Sequence, residues 1–63
     1  MKIKFLSEDH PGGLEVDWPT VPGEGSLVAF NYRGGTSILK VLGVRYDADA
    51  DGNLQGVEVH LTY

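Results

Sequence analysis

The chain has 63 residues, a net charge of −4 and no cysteine. That length allows one small domain, residues 1–63, burying only about 60% of its unfolded surface, which excludes a two-domain enzyme with a long cleft. Without cysteine there is no disulfide framework and no thiolate metal site. The composition, 41% hydrophobic and 22% charged, is that of a folded domain rather than a disordered segment.

No apolar run approaches a membrane span. The opening Met1–Leu6 is basic, but Ser7-Glu8-Asp9 ends its apolar stretch too early for a signal peptide, so the expected location is cytoplasmic.

In chain order, Lys2 to Leu6 alternates, with Ile3 and Phe5 on one face and Lys2 and Lys4 on the other, and reads as a half-buried strand. Residues 8–25 hold all three prolines and read as a long connection with a short extended piece at Leu14–Trp18. Ser26 to Tyr32 is a second run, with Val28, Phe30 and Tyr32 on one face. Arg33-Gly34-Gly35-Thr36 then reads as a tight hairpin, with Gly34 and Gly35 at positive φ in the turn positions. Ser37 to Tyr46 is a longer strand in which Gly43 marks a bulge or bend. Asp47 to Asn53 is a turn. Val57 to Tyr63 alternates again, with Val57, Val59, Leu61 and Tyr63 facing inward and Glu58, His60 and Thr62 outward. No segment repeats apolar residues at helical spacing. The predicted fold is all-β: a small SH3-like barrel of four to five antiparallel strands with no substantial helix.

Pro22-x-x-Gly25-x-x-Val28, the run Leu39–Asp47, and Val57-x-Val59-x-Leu61 resemble small SH3-like β-barrel proteins encoded by phages and integrated mobile elements. The resemblance covers residues 22–63. It implies a phage or prophage accessory protein, acting in the host cell cytoplasm, that binds and inhibits a host factor.

The nine acids fall in two stretches free of Lys and Arg: Glu8, Asp9, Glu15, Asp17 and Glu24, then Asp47, Asp49, Asp51 and Glu58. Strand directions suggest that parts of both meet at one pole of the barrel. Such a pole is either a solvated surface or an anionic docking site for a host protein with a basic surface. The expected partner-binding residues are Asp17, Trp18, Glu24, Tyr46, Asp49 and Asp51. Five scattered cations do not make a basic face, so nucleic acid is not an expected partner.

Asp47-x-Asp49-x-Asp51-Gly52, with Glu58 further on, matches the spacing of an EF-hand loop, making Asp47, Asp49, Asp51 and Glu58 calcium candidates. The flanks read as strands rather than helices, and a hairpin turn with Asx-type hydrogen bonds explains the same residues. Trp18 reads either as a plug at one end of a small core or as an anchor for a partner. His10 and His60 lack metal spacing, and nothing orders a catalytic triad, so enzymatic activity is not expected. No other cofactor is expected. The chain reads as a monomer or weak homodimer, with the self-associating structural component and the calcium-responsive hairpin as alternatives to the binding module.

Overall fold

The computed structural model describes residues 1–63 and is all-β, with no helix. Five strands form one sheet: β1 (Lys2–Leu6), β2 (Leu14–Asp17), β3 (Leu27–Tyr32), β4 (Gly35–Ala48) and β5 (Leu54–Thr62). Their spatial order is β2-β1-β5-β4-β3. The sheet curls into a half-barrel consistent with a small SH3-like barrel. No helix is long and apolar enough to cross a membrane.

The alternation of β1 and β5 places Ile3, Phe5, Val57, Val59 and Leu61 on one face, and these join Val28, Leu39 and Val41 as the eight buried residues. Phe30, Val44, Leu14, Val16, Trp18 and Val21 pack partly buried around them. Curvature follows from one aromatic contact. β1 and β3 are separated by β5 and β4, about 14 Å in a flat sheet. Yet Phe5 and Phe30 meet edge-on with ring centroids 5.8 Å apart. Trp18 packs on the same ring, with centroids 4.8 Å apart. Trp18 is therefore a plug on the core.

The bend that allows this lies in β4. Its first part pairs with β3 and its second with β5. The register shifts between Val41 and Gly43, leaving Leu42 as an extra residue, so the bulge expected at Gly43 is present. A second shift between Asp47 and Ala48 leaves Gln55 unpaired in β5.

Three features differ from the sequence expectation. β1 runs parallel to β5, in register Ile3 with Val57 and Phe5 with Val59, so one seam of the sheet is not antiparallel. The β3–β4 turn is Arg33-Gly34, closed by the Tyr32–Gly35 pair, and positive φ falls on Gly35 (+149°) but not on Gly34. This register keeps Phe30 inward and lets the Thr36 hydroxyl donate to Asn31 Oδ1 at 2.8 Å. Finally, β3 begins beside Val41, since Gly25 N–H donates to the Val41 carbonyl, while β4 runs on to Ala48.

The radius of gyration, 12.4 Å, exceeds the roughly 10.6 Å of a compact chain this long. The long axis is 44 Å against 22 and 20 Å. Beyond Phe30 the β3–β4 hairpin projects, with Asn31 to Thr36 all exposed.

Phe5→Ala should cost about 3–5 kcal/mol, comparable to the whole stability of a domain this small, and circular dichroism should show an unfolded chain. Val59→Ala should cost about 1–3 kcal/mol and lower the urea midpoint of a chain that still folds. Gly13, at φ +89°, lies under the Lys4 stem. A Cβ there would meet the Lys4 Cε and, at 2.8 Å, its Cγ, so Gly13→Ala should cost the left-handed backbone penalty, about 1–2 kcal/mol, and the displacement of Lys4 besides, measured the same way.

Candidate functional site

The parallel seam decides which charges share an end of the sheet. β1 begins at the end where β4 turns into β5, because Ile3 aligns with Val57. Lys2 pairs with Asp17 of β2, and Asp47 of β4 pairs with Gly56 of β5. Asp17, Lys2, Gly56 and Asp47 therefore form a row across this end. The next outward row is Glu15, Lys4, Glu58 and Arg45, in which the sign alternates from strand to strand. Opposite charges directly across a strand pair are favourable neighbours.

Most of these charges are compensated. Arg45 donates to Glu58 Oε2 at 2.8 Å, and its Nε lies 3.1 Å from Asp47 Oδ1. The Met1 amino group donates to Asp17 Oδ1 at 2.7 Å. Its charge holds Asp17 below the ordinary carboxylate range, first through that hydrogen bond and then through Coulomb attraction, to which Lys2 adds. Asp49 and Asp51 form no salt bridge. With Glu15, which also forms no salt bridge, they supply the unpaired negative charge of this end.

Asp49 organises the turn that presents them. Its Oδ1 accepts the N–H groups of Asn53 at 2.9 Å and Asp51 at 3.0 Å, and its Oδ2 accepts from the Asn53 carboxamide at 3.2 Å. Asp49 N–H donates to the Asn53 carbonyl, and Gly52, at φ +86°, donates its N–H to the Asp49 carbonyl. The Asn53 N–H and then its side chain push the Asp49 carboxyl below its ordinary pKa; partial desolvation opposes them, and the Asp51 and Gly52 N–H groups add to the lowering. This is the Asx-type turn.

The calcium candidates are not gathered around a common point. Asp47 and Glu58 are drawn to Arg45, and Asp49 is occupied within the turn. No group of three or more His, Cys, Asp or Glu side chains is arranged to hold a metal ion. As arranged, these residues do not fit the cation that their spacing suggested.

Of the expected partner-binding residues, Asp17, Tyr46, Asp49 and Asp51 share this end. Trp18 follows Asp17 but turns onto Phe5. Glu24 lies elsewhere, next to the Gly25–Val41 contact, about 20 Å of strand from Asp47. The single pole expected from strand directions is thus divided, because β4 extends seven residues beyond Val41, where the Gly25 N–H meets it. The structure adds Leu54, which pairs with Ala48 just after the turn. Tyr46 is 59% exposed and Leu54 55% exposed. The period-2 pattern offered no sign of this, because Tyr46 follows the inward parity of Val44 but has no strand or loop packed over it.

Comparison with family models, with curated proteins and with solved structures finds no match for this chain.

A carboxyl whose pKa is lowered in the folded state stabilises the fold above its unfolded pKa, near 3.9 for Asp. That stability is lost as pH falls through the lower folded value. Stability should therefore drop on acidification below about pH 4, through both Asp49 and Asp17. Asn at position 49 keeps the acceptor oxygen without the titration. Urea midpoints measured across the acid range should fall less steeply for Asp49→Asn than for the unaltered chain.

Proposed function

We propose that the protein is a small protein-binding module that docks on a basic surface of a partner through the end of the sheet carrying Asp17, Tyr46, Asp49 and Asp51. The observation that carries this reading is the meeting of two complementary kinds of surface. Asp49 and Asp51 have no cationic partner, and Tyr46 and Leu54 are exposed at the same end. A tyrosine and a leucine supply apolar area for a binding anchor. Uncompensated carboxylates steer a cationic partner and set its orientation. The rigid Asp49 turn holds both features without an ordering cost on binding. Asp17, Asp47, Glu58 and Arg45 of this end are engaged in surface pairs and Asp49 in a turn, an arrangement that supports binding rather than catalysis. On the resemblance to phage-encoded small barrels, the partner is a host factor in the host cytoplasm and binding inhibits it.

Affinity capture from host lysate, followed by association kinetics with the captured protein, tests this. The Asp49→Asn, Asp51→Asn double variant keeps the Oδ1 acceptor for the Asp51 and Asn53 N–H groups and gives up only the Oδ2 contact to the Asn53 carboxamide. Its association should be about 3- to 10-fold slower at low salt, with a flatter salt dependence and an unchanged fold. Equal on-rates and an equal salt slope would reject this end as the interface.

A further inference from the structure

The two edges of the sheet are β2 and β3, and they are built differently. β2 is four residues long, carries Glu15 and Asp17, and is followed within two residues by Pro19. Short length, charge and nearby proline are the usual defences of an exposed edge. β3, Leu27-Val-Ala-Phe-Asn-Tyr32, has six residues, no charge and no proline. We propose that β3 is a self-association edge, on which a second copy of this chain pairs antiparallel with its own β3, centred on Ala29.

The register follows from the hydrogen-bond parity of the hairpin. Val41 N–H donates to the Ser26 carbonyl, and Val41 accepts from Gly25 N–H. Antiparallel pairs then alternate between bonded and non-bonded. Leu27–Lys40 is non-bonded, Val28–Leu39 bonded, Ala29–Ile38 non-bonded, and so on to the bonded Tyr32–Gly35 pair that closes the turn. Leu27, Ala29 and Asn31 therefore point their N–H and C=O groups at the open edge. An antiparallel two-fold pair centred on Ala29 sets Ala29 against Ala29 of the second copy. Leu27 then faces Asn31 of the second copy, and Asn31 faces its Leu27. Every outward-pointing group of β3 is used, with two bonds closed at each pair.

The side chains agree with this register. Ala29 is exposed and pairs with Ile38, which is 56% exposed. The pairing produces an unbroken apolar row of Ile38, Ala29, Ala29 and Ile38 across the two copies. Leu27, 69% exposed, flanks the row at each end. Arg33 lies just past one end of β3 and Glu24 just before the other. In the Ala29-centred register Arg33 of one copy falls opposite Gly25 of the other, beside Glu24, and symmetry repeats the match. The carboxylates at Asp47 to Asp51 lie at the far end of β4, so the net charge of −4 does not concentrate at the seam. The occupant that fits is a second copy, because the surface is complementary to itself in both hydrogen bonds and charge.

This inference is independent of the acidic end, and the variants separate the two. Sedimentation equilibrium of the unaltered chain should show a mass rising with concentration from 6.8 kDa toward twice that value. Ala29→Lys and Ala29→Asp each oppose like charges at the two-fold centre, and each alone should stay monomeric with an unchanged circular dichroism spectrum. Mixing the two in equal amounts should restore the dimer. The Asp49→Asn, Asp51→Asn variant should dimerise like the unaltered chain. An unaltered chain that stays monomeric up to millimolar concentration would overturn the proposal, whether or not either variant folds. So would Ala29 variants that associate as before, or a mixture that does not recover.

Discussion

The meeting of Trp18, Phe5 and Phe30 is the contact on which this fold depends. Eight buried residues are a small core for 63, and a flat five-stranded sheet would leave one face of them to water. The Phe5 ring is shared by a loop tryptophan at 4.8 Å and a β3 phenylalanine at 5.8 Å. It draws together elements that the strand order separates. The Leu42 bulge supplies the bend that makes this geometry available, and the residues that cover the core, Trp18 and Val21, come from the long connection. Edge-on aromatic pairs favour this arrangement beyond the area they bury. The connection is thus part of the core rather than a loose tether, and Tyr63 adds a further tie by donating its hydroxyl to Asp9.

Much of this was legible in the sequence. The alternation of Ile3 and Phe5, and of Val57, Val59 and Leu61, identified strands whose inward residues are buried, but Tyr63, which continues the same alternation, lies past the end of β5 and is 61% exposed. Gly43 signalled the bulge, and the Asp-Gly turn carried its Asx chemistry openly. What was hidden is non-local. Short turns announce hairpins, but β1 and β5 are joined by no turn, so their parallel pairing left no mark in the sequence. The hairpin register was one residue away from its glycine signal because Phe30 and Asn31 choose the faces of the strand, and a glycine pair tolerates either solution.

The division of the acidic surface has the same origin. Strand direction alone places Glu24 with the Asp47–Asn53 turn. The length of β4 separates them, and length past a partner strand is set by what the far end pairs with, here β5. Charge number was readable from the sequence, but compensation was not. Arg45 sits within reach of two acids while Asp49 and Asp51 have none. The surface that remains negative is accordingly smaller than the count of acids implies, and it is aimed by a turn whose own hydrogen bonds fix its shape.

The parallel seam also bears on how the chain acquires its structure. Adjacent hairpins are local and form in microseconds, but joining β1 to β5 closes a loop containing nearly the whole chain. Before that closure the molecule consists of a β1–β2 ribbon and a β3–β4–β5 meander, and a two-stranded ribbon is at best marginally stable in water. During synthesis Ile3 and Phe5 leave the ribosome before Val57 and Val59, and wait, exposed, for them. The order of synthesis is therefore opposed to the order of burial, and the core is completed only when β5 arrives.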